Sequence, residues 1–337
     1  MDERNRRAFL LGGFGAITVF AVLFFVVGAD RVIDSLLSAE PSLVVVTFAL
    51  ALCWLAAWSL MLRTVLTALG VDVPISTAFF VYAGAVFANN VTPFGQAGGE
   101  PVAAALISKV SDSRYETGLA GIASVDVLNV IPSVSLVLVG VGYYATTTAV
   151  SERLETAVGS ALALIGGIVL GLALVWRHRQ TVIDRLPAIV APRVGRFAGS
   201  DPATLEGDLA DRIRRFFGNI ERVATDRWRL AAAVGLSLAG WLFQTAALAA
   251  AFAALGYSVP PYVLLFVIPL ANLAGAAPLP GGLGGVEAAF VTLLVPTTGI
   301  EASAVTAAVL IFRGAIYWMP VLIGGVSVSA FGVRTLR

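Results

Sequence analysis

The 337-residue chain is 58% hydrophobic and only 13% charged, about half the charge of an ordinary soluble domain, and its mean hydropathy is +0.89. That excess of apolar side chains rules out a water-soluble globular fold and predicts an all-α polytopic membrane protein. A net charge of +1, one cysteine (Cys53) and one histidine (His178) argue against nucleic-acid binding, an intrachain disulfide and a Cys- or His-ligated metal, so no cofactor is expected.

Apolar stretches of bilayer-crossing length predict about six full spans, at 8–27, 43–62, 118–141, 157–176, 230–255 and 302–331. The first, long and without a cleavage site before Asp30, reads as a retained span rather than a signal peptide. Arg4, Arg6 and Arg7 place the N-terminus in the cytoplasm, and alternation then puts the segment 177–229, with 11 Arg and 7 acids, and the C-terminal Arg334 and Arg337 there too. The expected location is therefore the cell membrane, multi-pass, with both termini cytoplasmic. Within 177–229, Leu205, Leu209, Ile213, Phe216, Ile220 and Val223 recur at helical spacing, giving an amphipathic helix. Such a helix either lies on an anionic leaflet or caps the cytoplasmic ends of the spans.

Two intervals do not fit a simple span, and they resemble each other. Ala68-Leu69-Gly70 followed by Pro74 recurs as Ala254-Leu255-Gly256 followed by Pro260, an offset of 186. Each copy continues with an apolar run too short to cross, then a polar break: Asn89-Asn90 through Pro93 and Gly95 to Gly98-Gly99-Glu100, and Asn272 through Pro278 and Pro280 to Gly284-Gly285-Val286-Glu287. Backbone groups freed by such breaks have no partners in hydrocarbon, so the breaks must line a cavity or be packed within protein. They predict two re-entrant broken-helix pairs, at 75–109 within a first repeat (43–144) and at 261–297 within a second (230–331). An odd number of spans between the copies makes this an inverted-topology repeat, an architecture typical of transporters.

Four charges fall at membrane depth: Glu100, Asp126, Glu287 and Arg313. Each costs about 2.5 to 3.5 kcal/mol to insert, so they are candidates either for substrate binding or for locking the broken helices together. Glu100 and Glu287 are 187 residues apart, as are Asp126 and Arg313, so the repeat sets an acid against a base. The spacing predicts one charged cluster, with Asp126 or Glu100 reaching Arg313. Arg313 and the helix N-termini after the breaks suit a phosphate, whereas the two Glu suit an amine or sugar hydroxyls or carry protons. Asn89, Asn90, Thr92, Gln96 and Asn272 add uncharged donors and acceptors, and Tyr317 is either a groove wall or an interfacial anchor. Pro93, Gly95, Gly98, Gly99, Pro278, Pro280, Gly281, Gly282, Gly284 and Gly285 form the structural loops.

Residues Asn90-Val91-Thr92-Pro93-Phe94-Gly95 through Gly99-Glu100, then Pro278 through Gly281-Gly282-Leu283-Gly284-Gly285-Val286-Glu287, then Arg313 through Tyr317-Trp318-Met319-Pro320 to Gly324, carry a resemblance. They resemble the lysylphosphatidylglycerol synthase transmembrane, or flippase-like, family over about residues 8–330. The resemblance implies movement of lipids between leaflets, in some members of an aminoacylated phosphatidylglycerol. Those members carry an aminoacyltransferase domain that is not expected in this sequence, so only translocation carries over, and the chain is not expected to be an enzyme. Family members that occur beside glycosyltransferases imply an isoprenoid-linked sugar as a further cargo, and a separate lipid-modifying or glycosyl-transferring enzyme as a partner. The sequence thus predicts a lipid flippase or scramblase, with membrane lipids as its partners; a secondary transporter of a small polar solute or ion is the alternative.

Overall fold

The computed structural model describes residues 21–333 apart from 23, 24, 26, 92–95, much of 148–172, 199–201 and 277–278. All regular structure among the described residues is helical. Four helices are long and apolar enough to cross a membrane: α2 (Pro41–Ala68), α5 (Tyr115–Thr147), α8 (Arg227–Ala254) and the stretch Ala302–Ser329. The spans expected at 8–27 and 157–176 lie largely outside the described residues.

The helix ends follow from local chemistry. Pro41 sits in the first turn of α2, where its missing N–H costs nothing, and Gly70 at φ 79° lets the chain turn away after Ala68. The Asp226 side chain accepts the Arg229 N–H at 3.2 Å to open α8, and Gly256, also at φ 79°, follows its end. The two helices therefore begin 186 residues apart (41 and 227) and end 186 apart (68 and 254). The next helices, α3 (Ile75–Val91) and α9 (Pro261–Leu273), begin at the same offset. Each is followed by the expected break and a second short helix, α4 (Gln96–Ser111) and α10 (Gly285–Thr298). α11 (Ala302–Arg313) runs into a π-helical turn at Gly314–Trp318 and on into α12 (Met319–Val333), so the span expected to be continuous at 302–331 is interrupted just after Arg313.

The centre is the α2–α8 pair. Ala51, Leu55, Ala247, Leu248 and Ala251 are fully buried along it, and small side chains of this kind let membrane helices approach closely. Trp58 stacks edge-on against Trp54, Trp241 and Tyr82, with centroids 5.4, 5.5 and 6.4 Å away. The shorter helices cross between the halves: α3 packs on α12 and α9 packs on α5. Both crossings use a glycine, since a Cβ on Gly324 would lie 2.1 Å from the Ala83 carbonyl oxygen and one on Gly140 would lie 2.6 Å from that of Tyr262.

Outside the spans, α6 (Arg179–Ala198) and α7 (Pro202–Thr225) pack on each other, and α7 also packs on α5. Arg212 and Arg215 reach Glu116, in the first turn of α5, at 3.4 and 3.6 Å, and Phe217 stacks on Trp176 at 6.1 Å. Of the two expectations for this helix, the structure has it capping a span. A short helix α1 (Ala29–Leu37) lies against α11 through Val32 and Ala307, with Arg31 paired to Glu301 at 3.1 Å.

Candidate functional site

The second glycine-rich break is held shut by its own residues. α10 starts at Gly285, and Glu287 in its first turn turns back so that one carboxylate oxygen accepts the Gly284 N–H at 2.7 Å. The other oxygen accepts from Arg313 Nε, also at 2.7 Å. Arg313 donates a further bond to the Gly281 carbonyl at 3.3 Å, and its guanidinium lies 4.6 Å from the Tyr317 ring centroid. The π turn sets Tyr317 at this position, where its hydroxyl donates to the Asn90 carbonyl at 3.2 Å, linking the second break to the end of α3. Gly281 has φ 56°, and a Cβ there would sit 2.4 Å from the Tyr317 ring, so only glycine fits under the tyrosine.

This geometry corrects three expectations. Arg313 pairs with Glu287 of its own half and is not within salt-bridge distance of Asp126 or Glu100, because Glu287 lies just across the break from the end of α11. The N-terminus of α10, expected to receive a phosphate, is already filled by the Glu287 carboxylate. Asn272 is exposed in the last turn of α9 and does not join the cluster. With Glu287 2% exposed and Arg313 9%, the pair locks the second break.

The first break is different. Glu100 on α4 and Asp126 on α5 occupy the places that Glu287 and Arg313 take in the second half, and their carboxyl groups face each other at hydrogen-bonding range. One Asp126 oxygen, Oδ2, is buried with no hydrogen-bond partner. Tyr82 of α3, 6% exposed, borders Asp126, and Asn89 packs on the Gly99 backbone with its amide oxygen buried and unpartnered. Glu100 is half-buried, while Pro101 and Val102 beside it are exposed on the outer face of α4. Gln96, Gly98 and Gly99 fall within the first turns of α4, and Pro280, Gly281 and Gly282 form a 3-10 turn. Thr92, Pro93, Gly95 and Pro278 lie outside the described residues.

A polar network that the sequence reading missed joins this region to the central pair. Asn129, one turn beyond Asp126, accepts from the Ser237 hydroxyl through its side chain and from Trp241 Nε1 through its carbonyl at 3.3 Å; Trp58 Nε1 donates to the Ser237 carbonyl at 3.2 Å. The i, i+3 spacing of Asp126 and Asn129 in an apolar span was the available signal, since it puts both on one helix face.

Comparison with known proteins agrees with this architecture. A UPF0104 membrane protein of Methanothermobacter thermautotrophicus is 28% identical over 98% of this chain and 95% of its own length. Another, from Pyrococcus horikoshii, is 24% identical over 93% of this chain and 94% of its own length. The glycosyltransferase AglD of Haloferax volcanii is 27% identical over 91% of this chain, which spans only 52% of that protein. Residues 13–324 match the lysylphosphatidylglycerol synthase transmembrane region, and the chain belongs to that family of polytopic membrane proteins.

Proposed function

We propose that the protein moves a phospholipid or lipid-linked headgroup between leaflets, as a flippase or scramblase, past the first break. The observation that carries this reading is the Glu100–Asp126 pair: two carboxyls without a cation, beside a broken helix and next to the exposed Pro101 and Val102. Intramembrane acids are costly unless they pair or serve a polar cargo, and a half-buried Glu100 on the outer side of α4 is reached sideways from lipid. Glu100, Asp126, Asn89, Asn90 and Thr92 would receive the headgroup while the acyl chains stay in the bilayer. Glu287, Arg313 and Tyr317 would hold the second break in shape.

The common offset of 186 and the crossed packing of α3 on α12 and α9 on α5 support two halves, 43–144 and 230–331, related as inverted repeats. On this reading α3–α4 and α9–α10 are re-entrant pairs, and the termini and 177–229 face the cytoplasm of a cell-membrane protein. The printed name of AglD supports a lipid-linked sugar as a cargo and a glycosyl-transferring enzyme as a partner.

The test is leaflet exchange of fluorescent phosphatidylglycerol in proteoliposomes, with a quencher confined outside. Quenching beyond the outer-leaflet half, reduced by Glu100→Gln and Asp126→Asn in folded protein, is expected. Exchange no faster than in empty vesicles for phosphatidylglycerol and for a polyprenyl-linked sugar would overturn the reading in favour of solute transport.

A further inference from the structure

A carboxylate has no hydrogen to donate, so two carboxyl groups at hydrogen-bonding range bond to each other only when one carries a proton. With both ionised, the like charges repel in a low-dielectric surrounding and neither is stabilised. Glu100 and Asp126 meet in this way. No cation balances them. From α2, packed on α5, Arg63 is turned to the Val73 carbonyl at 2.9 Å; from α7, Arg212 and Arg215 are held by Glu116 at the far end of the helix; α8 brings only the neutral Trp241 and Ser237, and Tyr262 of α9 stacks on Tyr143 and Tyr144.

A second observation points into the same spot. Tyr82 comes from α3, is 6% exposed and borders Asp126, yet its hydroxyl makes no hydrogen bond among the described residues. The buried, unpartnered Asp126 Oδ2 leaves an acceptor beside this idle donor. Two carboxyls and a phenol are too few oxygens for a hard metal cation, which takes six to eight, and no group of three metal-ligating side chains occurs among the described residues. A proton is the ligand that fits.

We propose that Glu100 and Asp126 share one proton, and that this proton is a removable latch tying α4 to α5. With it in place, the O–H···O contact joins the two helices. When it leaves to water, the pair goes from one negative charge to two, the carboxyls separate, Tyr82 donates to the bared Asp126, and α4 is freed to move at the break at 92–95. The second break has no such freedom, because Arg313 balances Glu287 at every pH at which the protein is folded. The effect on transport rests on the lipid-moving reading above; the proton site does not.

Infrared titration of the purified protein reads the proton directly, as the C=O stretch of a protonated carboxyl. The wild type is expected to keep such a band at neutral pH, with the Glu100→Gln/Asp126→Asn double variant lacking it. The Tyr82→Phe variant, which keeps the ring packed on Trp58, should lose its band at higher pH than the wild type, because the dianion loses its donor. A wild-type spectrum identical to that of the double variant at neutral pH would overturn the shared proton. In proteoliposomes of phosphatidylglycerol, exchange should rise with pH by at most about tenfold per unit in the wild type and stay flat in Glu100→Gln. Equal pH slopes in the two would overturn the latch. A band without any lipid exchange would support the proton site and remove the flippase reading instead.

Discussion

Glu287 and Arg313 meet at 2.7 Å, while their counterparts 187 residues earlier, Glu100 and Asp126, are both acids. The two halves thus use one backbone arrangement for different ends: the second break is closed by charge neutralisation, and the first is left with excess negative charge. Both Arg313→Ala and Glu287→Ala strand a buried charge, and each is expected to lower stability by about 3–5 kcal/mol. Unfolding in detergent would measure it. Exchanging the two residues should recover part of the loss but not all, because Arg at 287 cannot accept the Gly284 N–H.

Asn129 is predicted to matter as much as any charged residue. Replacing it with Ala leaves the Ser237 hydroxyl without its acceptor, a loss of about 1–3 kcal/mol. The Trp241 N–H keeps its bond to the backbone carbonyl of 129 and should not contribute. A double-mutant cycle of Asn129→Ala with Ser237→Ala, read by unfolding, should show strong non-additivity; additive losses would refute the pairing.

Close approach in the central pair gives a third expectation. A Cβ on Gly240 would stand 2.0 Å from Trp58 Nε1, so Gly240→Ala pushes the indole out of its edge-on stack. The cost should be about 1–3 kcal/mol. The same substitution made with Trp58→Ala should cost nothing further, since the clash has gone.

Glu116→Gln frees Arg212 and Arg215 from the first turn of α5. Both arginines are exposed, so the change in global stability should be within about 1 kcal/mol. Limited trypsin digestion should nevertheless cut α7 faster in the variant than in the wild type. Unchanged cleavage would mean that Phe217 and Val223 alone hold the helix.

Most of the helical order was legible in the sequence because hydropathy and helix-end chemistry act locally: Pro41, Gly70, Asp226 and Gly256 mark boundaries that no distant contact overrides. The two breaks were legible for the same reason, since Pro and Gly runs cannot continue a helix. The partner of Arg313 was not legible. Equal spacing places residues at equivalent points, yet which acid meets the arginine depends on how α10 enters after the turn at Gly281 to Gly284, a three-dimensional property of backbone that spacing does not encode. The π turn at Gly314–Trp318 was hidden likewise, because its widened register comes from packing Tyr317 over Gly281 rather than from a sequence signal. Asn129 escaped notice because a lone amide in an apolar span is ambiguous until Ser237 is known to face it.

The crossed packing of α3 on α12 and of α9 on α5 bears on how the protein is made. Synthesis delivers α3 more than two hundred residues before the helix that covers it, so this short apolar helix waits with its Gly324-facing side open until the last helix has entered the bilayer. Neither half can reach its final packing alone, and the order of assembly is set by the late arrival of α12. A chain stalled before Met319 should therefore be handled by the cell as unassembled protein, however complete its first half.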